Sequence, residues 1–344
     1  MQQVQIKYRL SNRIIKLKIK SQTVLSAIIL SGIILVNNNG FSSLVPAYSQ
    51  GQNINGTSSP SSSFHSKASM IDNLPSQKVT VGNIDIAYKK VGKGYGAKPI
   101  ILITGHGATM DMWNPLLLEQ LSSSNHTVII FDNRGAGEST AGTKEFSISQ
   151  FANDTVGLIE ALKIDKADVL GWSMGSFIAQ ELALTNPDKV GSLILYASGC
   201  GGKEAEPPSP EVIQTFSNTS ITPQELGQKL ISLLFPTDWF KANPDYLNYF
   251  PIPKESVSPE MMGKQSEAIA KWSGTCNAIP KITQPTLIIV GIDDAFTPAL
   301  NSLMLVERIP SSWLVQIRDA GHGLMYQCPD EFNRVLMTFL DYNS

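Results

Sequence analysis

The residues best placed to do chemistry are those of the pentad Gly171-Trp172-Ser173-Met174-Gly175. It follows the strand-like run Ala167-Asp168-Val169-Leu170 and precedes the helix-like run Phe177-Ile178-Ala179-Gln180-Glu181-Leu182-Ala183. A strand, a sharp turn and a helix hold one hydroxyl in the open as a nucleophile, and the turn is so tight that the positions two before and two after it must be very small. Gly171 and Gly175 meet that demand. A serine hydroxyl is a poor nucleophile at neutral pH, so it needs a base to take its proton and a third group to orient the base. Of the four histidines, His65 lies in a polar tract and His126 just ahead of an apolar run, which leaves His106 and His322. His322 sits in Asp319-Ala320-Gly321-His322-Gly323, after the last expected strand, and completes the chain order Ser, acid, His. It is the predicted base. The acid is expected after the preceding strand, in Leu287-Ile288-Ile289-Val290-Gly291-Ile292-Asp293-Asp294, with Asp294 favoured over Asp293 and over Asp319. Attack by Ser173 creates an oxyanion that needs preorganised N–H donors. The backbone of Met174 and that of His106, in the glycine-flanked Thr104-Gly105-His106-Gly107, are the expected pair. A general-base role for the His106 ring is the weaker alternative, because it breaks the chain order.

The elements that must position these groups are legible as an alternation. Lys78–Val81 and Ile84–Tyr88 around Gly82-Asn83 read as an antiparallel hairpin. Short, nearly continuous apolar runs follow at 100–103, 128–131, 169–170, 193–196, 287–290 and 314–317, as suits strands covered on both faces. Helix-like stretches lie near 113–122, 147–162, 175–185, 298–308 and 329–341. Strands alternating with helices imply an α/β fold with a mainly parallel, helix-covered sheet. The alternation breaks over 200–284, a Pro-rich and aromatic insert before the last two strands. Its place after a strand, on the edge where open α/β sheets bind ligands, predicts a helical lid.

The front of the chain differs from the rest. Residues 1–20 carry six basic residues and no acid, and Val24–Val36 is apolar, short for a membrane span, with Ala47-Tyr48-Ser49 offering small residues before a cut. Residues 1–49 are therefore expected to be a signal peptide or an N-terminal membrane anchor, placing the protein outside the cytoplasm, secreted or anchored. Residues 50–75, rich in Ser, Gly, Asn and Pro, are expected to be a disordered linker, leaving 76–344 as the folded domain. Without 1–49 the chain has 21 basic and 29 acidic residues, a net charge of −8, so nucleic acid is not an expected partner. Cys200, Cys276 and Cys328 are widely spaced, without a zinc or redox pair; at most one disulfide forms within the chain, and the odd thiol is expected to be buried and inert.

Together these residues resemble the α/β-hydrolase superfamily, over about residues 77 to 342, and in particular its lid-bearing branch of esterases, enol-lactonases, cofactor-free haloperoxidase-like enzymes and proline iminopeptidases. The segment Phe131-Asp132-Asn133-Arg134-Gly135-Ala136-Gly137-Glu138-Ser139 is similar to the turn that supports the active-site loops in that branch. The chain departs from the pattern at Thr104, where histidine is common, and at Ser176, where a further glycine is common. The resemblance implies a serine hydrolase, without cofactor or metal, cleaving a small or medium carboxylic ester or lactone through an acyl-enzyme on Ser173. Proline iminopeptidase-like and haloperoxidase- or perhydrolase-like activities on the same triad are the alternatives, the first calling on Glu204 and Glu206 for a substrate ammonium. A non-catalytic extracytoplasmic binding protein for a small apolar ligand is the reading from another class.

Overall fold

The computed structural model describes residues 73–92, 98–218, 220 and 222–344, together with the backbone of Val4–Leu10, Arg13–Ile19 and Ile33–Val36. Beyond these short backbone segments and the last three linker residues, the expected leader over 1–49 and linker over 50–75 lie outside the described residues. Val4–Leu10 and Arg13–Ile19 pair antiparallel, and Ile33–Val36 runs along the outer edge of the main sheet. Among the described residues no helix is long and apolar enough to cross a membrane.

The hairpin forms as expected, with β1 (Gln77–Val81) and β2 (Ile84–Val91) antiparallel and Gly82 in the left-handed region at φ 58°. Six further strands follow: β3 (Lys98–Ile103), β4 (His126–Phe131), β5 (Ala167–Trp172), β6 (Val190–Tyr196), β7 (Thr286–Gly291) and β8 (Ser312–Ile317). Their order across the sheet is β1-β2-β4-β3-β5-β6-β7-β8, and all pairs from β4 onward are parallel. The apolar runs are buried on both faces because helices cover both. On one face, Ile100, Leu102 and Ile130 pack with Leu117 and Leu121 of α1 (Pro115–Ser123) and with residues near the C-terminus. On the other, Ile101, Ile103 and Val169 pack with Phe151 of α2 (Ile148–Ala161) and Ile178 of α3 (Met174–Thr185). Each fully buried Ile, Leu or Phe contributes about 1.5–3 kcal/mol, so the two cores make the sheet a rigid platform.

The insert is helical. It holds α4 (Pro210–Ser217), α5 (Pro223–Leu233), α6 (Thr237–Ala242) and α7 (Pro259–Lys271). Three of the four begin with a hydroxyl residue ahead of proline: Ser209, Thr222 and Ser258 each accept a backbone N–H of the first turn, while the proline occupies a position whose N–H would have no partner. The expected 200–284 limits span these helices, but 279–282 already belong to the core, with Ile279 and Ile282 fully buried. After the insert come α8 (Ala299–Arg308), α9 (Leu324–Gln327) and α10 (Pro329–Tyr342), the last packing Phe332 and Leu336 into the same core as α1. A disulfide joins Cys200 to Cys276, where the chain leaves the sheet for the insert and where it returns. Cys328, the odd thiol, is buried, and burial pushes it up to about 12.

Candidate active site

Ser173 sits between β5 and α3 with φ 55° and ψ −121°, a strained conformation for a residue with a side chain. The small-residue demand is explicit. A Cβ on Gly171 would lie 2.2 Å from the Gly175 carbonyl oxygen, and one on Gly175 would lie 2.1 Å from that of Ile103. The turn is pinned by the Ser173 N–H donating to the Tyr196 carbonyl at 3.0 Å and by the Ser176 N–H donating to the Ser173 carbonyl at 2.8 Å. Ser176, one of the two departures, strengthens the turn: its hydroxyl donates to the Ser173 carbonyl at 2.6 Å and lies 2.8 Å from Ser198 Oγ. Gln180 extends the network to Ser198, the Gly199 carbonyl and, through Thr275, the neck of the insert.

Asp294 and His322 meet after β7 and β8. Both carboxylate oxygens of Asp294 lie 2.9 Å from His322 Nδ1. The Asp294 carboxylate also accepts the backbone N–H groups of Phe296 and Thr297 and the Thr297 hydroxyl, each at 2.9 Å, and the residue is 4% exposed. Since these oxygens accept, Nδ1 is assigned as the donor, leaving the Nε2 lone pair of a neutral ring free to take a proton. The ring lies beside Phe296 at 4.8 Å and Trp172 at 6.0 Å between centroids, and the His322 carbonyl accepts the Tyr196 hydroxyl at 2.6 Å. Tyr196 thus anchors both Ser173 and His322 at one sheet edge. Ser173 Oγ makes no hydrogen bond to the imidazole in this structure; nucleophile–base contacts of this kind often tighten only with substrate bound.

The alternatives fall elsewhere. Asp293 is largely exposed and its N–H donates to the Ala320 carbonyl; the shielding it does have, and the Asp319 charge, push its carboxyl up. Asp319, exposed and at φ 55°, shapes the loop. The His106 ring is occupied by the insert, its Nε2 lying 3.1 Å from the Met262 carbonyl and 2.8 Å from Ser266 Oγ, and burial lowers its pKa. The His106 backbone fits the expected oxyanion role better. A Cβ on neighbouring Gly105 would lie 3.1 Å from Ser173 Cβ, so this loop runs against Ser173. Among the described residues neither the His106 nor the Met174 N–H donates to a protein acceptor.

The 131–139 turn props this loop. Asn133 Nδ2 donates to the Thr104 carbonyl at 3.3 Å and to its hydroxyl at 3.2 Å, which gives Thr104, the other departure, a structural use. Asp132 accepts the N–H groups of Met110 and Glu138, and Arg134 grips Asp154 through two bonds of 2.6 and 2.8 Å. Sequence reasoning missed Thr297, Ser198 and Gln180, and also Gln265 of the insert, whose Oε1 accepts the Gly107 N–H at 2.8 Å. Only Thr297 had a local signal, a hydroxyl three residues after a carboxylate. The insert covers the edge at a second point, where Phe235 packs on Gly321 and Gly323 and the Leu234 carbonyl accepts the Gly323 N–H at 2.8 Å. A cleft of about 710 Å³ opens at the neck, lined by Gly201, Lys203, Trp272 and Cys276 but by none of Ser173, Asp294 or His322. Among the described residues no group of His, Cys, Asp and Glu is arranged to hold a metal ion.

Sheet order, elbow and Asp–His pair define a hydrolase of the α/β type. The chain belongs to the α/β hydrolase fold family, which it matches over residues 98–327. It is similar to RutD of Caulobacter sp. (strain K31), named as a proposed carbamate hydrolase, at 27% identity over 75% of this chain and 97% of the relative. It is also similar to a 2-hydroxy-6-oxononadienedioate/2-hydroxy-6-oxononatrienedioate hydrolase of Dechloromonas aromatica (strain RCB), at 25% identity over 77% and 94% of the two chains. Among solved structures, a thermophilic esterase from Thermogutta terrifontis superimposes with a TM-score of 0.65 at 25% identity, covering 78% of this chain and 99% of that one.

Proposed function

We propose that the protein cleaves a small or medium carboxylic ester or lactone through a covalent acyl-enzyme on Ser173. His322 Nε2 takes the hydroxyl proton as Ser173 Oγ attacks the carbonyl carbon, and Asp294 holds the ring by Nδ1. The N–H groups of His106 and Met174 receive the oxyanion. Its collapse expels the alcohol, which leaves with the proton from His322, and the same base then activates water to release the acid. The observation that carries this reading is the strained Ser173 elbow, fixed on Tyr196 beside a buried Asp294–His322 pair.

An uncharged substrate fits the surroundings: Trp172, Phe235, Phe250 and Tyr326 belong to one apolar cluster that joins the elbow to the insert. Glu204, the candidate for a substrate ammonium, is already paired with Arg308 at 2.6 Å. The test is turnover of para-nitrophenyl esters of increasing acyl length, with a lactone and a prolyl amide beside them. The ester or lactone should be cleaved, and Ser173→Ala should lower kcat/KM about a million-fold. Cleavage of the prolyl amide alone, or equal turnover by the variant, overturns the reading.

We further propose that the protein works outside the cytoplasm. The basic, then apolar, front end supports this, as does the Cys200–Cys276 disulfide, since such bonds persist in oxidising compartments. Terminal sequencing of the mature protein from fractionated cells tests it. A mature start near residue 50, or an intact chain in the membrane fraction, supports export, and an intact chain in the cytoplasm contradicts it.

A further inference from the structure

Gln265 lies on α7 and is fully buried. Its Oε1 accepts the Gly107 N–H at 2.8 Å, and this fixes the amide's orientation, since the flipped form would set donor against donor. Nε2 is therefore the other arm, and among the described residues it has no hydrogen-bond partner. A buried donor without an acceptor costs about 1–3 kcal/mol, whereas Met or Leu would fill a similar volume without that cost. The amide is also in a particular place. Met262, Gln265 and Ser266 share one face of α7, spaced three and four apart, and all three bond the loop that carries His106. Gln265 is thus tied to the peptide that follows the proposed oxyanion donor, in a loop whose Gly105 touches Ser173.

We propose that Gln265 is a specificity-determining residue whose Nε2 donates to a second oxygen on the substrate, so that the preferred substrates are esters or lactones bearing an ether, hydroxyl or carbonyl oxygen near the reacting carbonyl. The inference rests on the ester-cleaving reading of Ser173 and narrows it. An all-carbon acyl chain leaves the buried amide unmatched, while an acceptor oxygen satisfies it; sites built to bond a substrate oxygen discriminate in this way. The Oε1 bond to Gly107 gives the same side chain a positioning role that does not depend on the substrate.

The test compares para-nitrophenyl pentanoate with para-nitrophenyl methoxypropanoate, two chains of equal length that differ by one oxygen, each rate divided by that of hydroxide-catalysed hydrolysis. The wild type should prefer the methoxy ester about tenfold in kcat/KM. Gln265→Met should abolish the preference. Gln265→Leu, a second side chain of similar volume with neither donor nor charge, should also show no preference. A wild type without preference, or a Gln265→Leu protein that retains it, overturns the inference even if the Met variant does not fold. No turnover of either ester, with no labelling of Ser173 by a phosphonate, removes the ester-cleaving reading instead.

Discussion

At the sheet edge Ser173, Asp294 and His322 are tied to the sheet and its own loops: the Ser173 N–H to the Tyr196 carbonyl, the Asp294 carboxylate to the N–H groups of Phe296 and Thr297, and the His322 carbonyl to the Tyr196 hydroxyl. The insert above them is held mainly by side chains, through Phe235 stacked on Trp239, Trp272 on Phe177, and Gln265 on the Gly107 N–H. It also leaves large apolar side chains in the open, Ile252 at 81% and Leu247 at 60% exposed, where the sheet strands leave almost none. Anchoring within the sheet and its loops gives Ser173, Asp294 and His322 one geometry whatever side chains the insert carries. Side-chain anchoring lets substrate preference change without disturbing that geometry, which fits relatives named for quite different bonds.

Asp294 carries the largest expected effect at the sheet edge. Asp294→Asn preserves the shape of the carboxylate but removes an acceptor from His322 Nδ1, which favours the wrong tautomer; kcat/KM for an ester should fall about a thousandfold or more, with the melting temperature little changed. A loss below tenfold would mean that Asp294 does not orient the base. On the insert side, replacing both Cys200 and Cys276 by Ser should lower stability by about 2–4 kcal/mol. Because the bond closes the neck, KM should move more than kcat, and a kcat loss as large as that of Asp294→Asn would show that the insert fixes the reacting groups as well.

A smaller effect separates the two regions by pH. Burial pushes the Asp132 carboxyl, in the turn that props the His106 loop, up to about 6 against the N–H groups of Met110 and Glu138. A folded-state value above the unfolded one gives stability that is full below the unfolded pKa, near 3.8, and lost as pH rises through about 6. Relative to Asp132→Asn, the wild type should therefore lose up to about 3 kcal/mol between about pH 4 and pH 7.5 in urea unfolding. A constant difference contradicts this. In the insert, Glu225 and Lys271 titrate at the surface on their own partners, and Lys271→Gln should shift this profile little.

The same division explains what the sequence revealed. Ser173 and His322 were legible because the backbone that presents them needs glycines at fixed local offsets, and Asp294 because chain order places it after the strand before last. The parallel sheet was legible because strands buried on both faces are apolar throughout. The insert showed itself only as a break in the alternation, although the hydroxyl–proline pairs at 209–210, 222–223 and 258–259 mark three of its helix starts. Gln265 left no trace, since its partner Gly107 lies 158 residues away and nothing local distinguishes this glutamine from an exposed one. Three cysteines allow three pairings, and only folding selects Cys200 with Cys276. Ser176 looked like a weakness in the motif because its hydroxyl partner, Ser198, comes from the loop after the next strand.

Whether Ser173 is the nucleophile is decided by intact-protein mass after exposure to a serine-reactive phosphonate, followed by mapping of the modified peptide. One adduct is expected on the wild type, located at Ser173 and missing from Ser173→Ala. An unmodified wild type, or an alanine variant modified to the same extent, would contradict it.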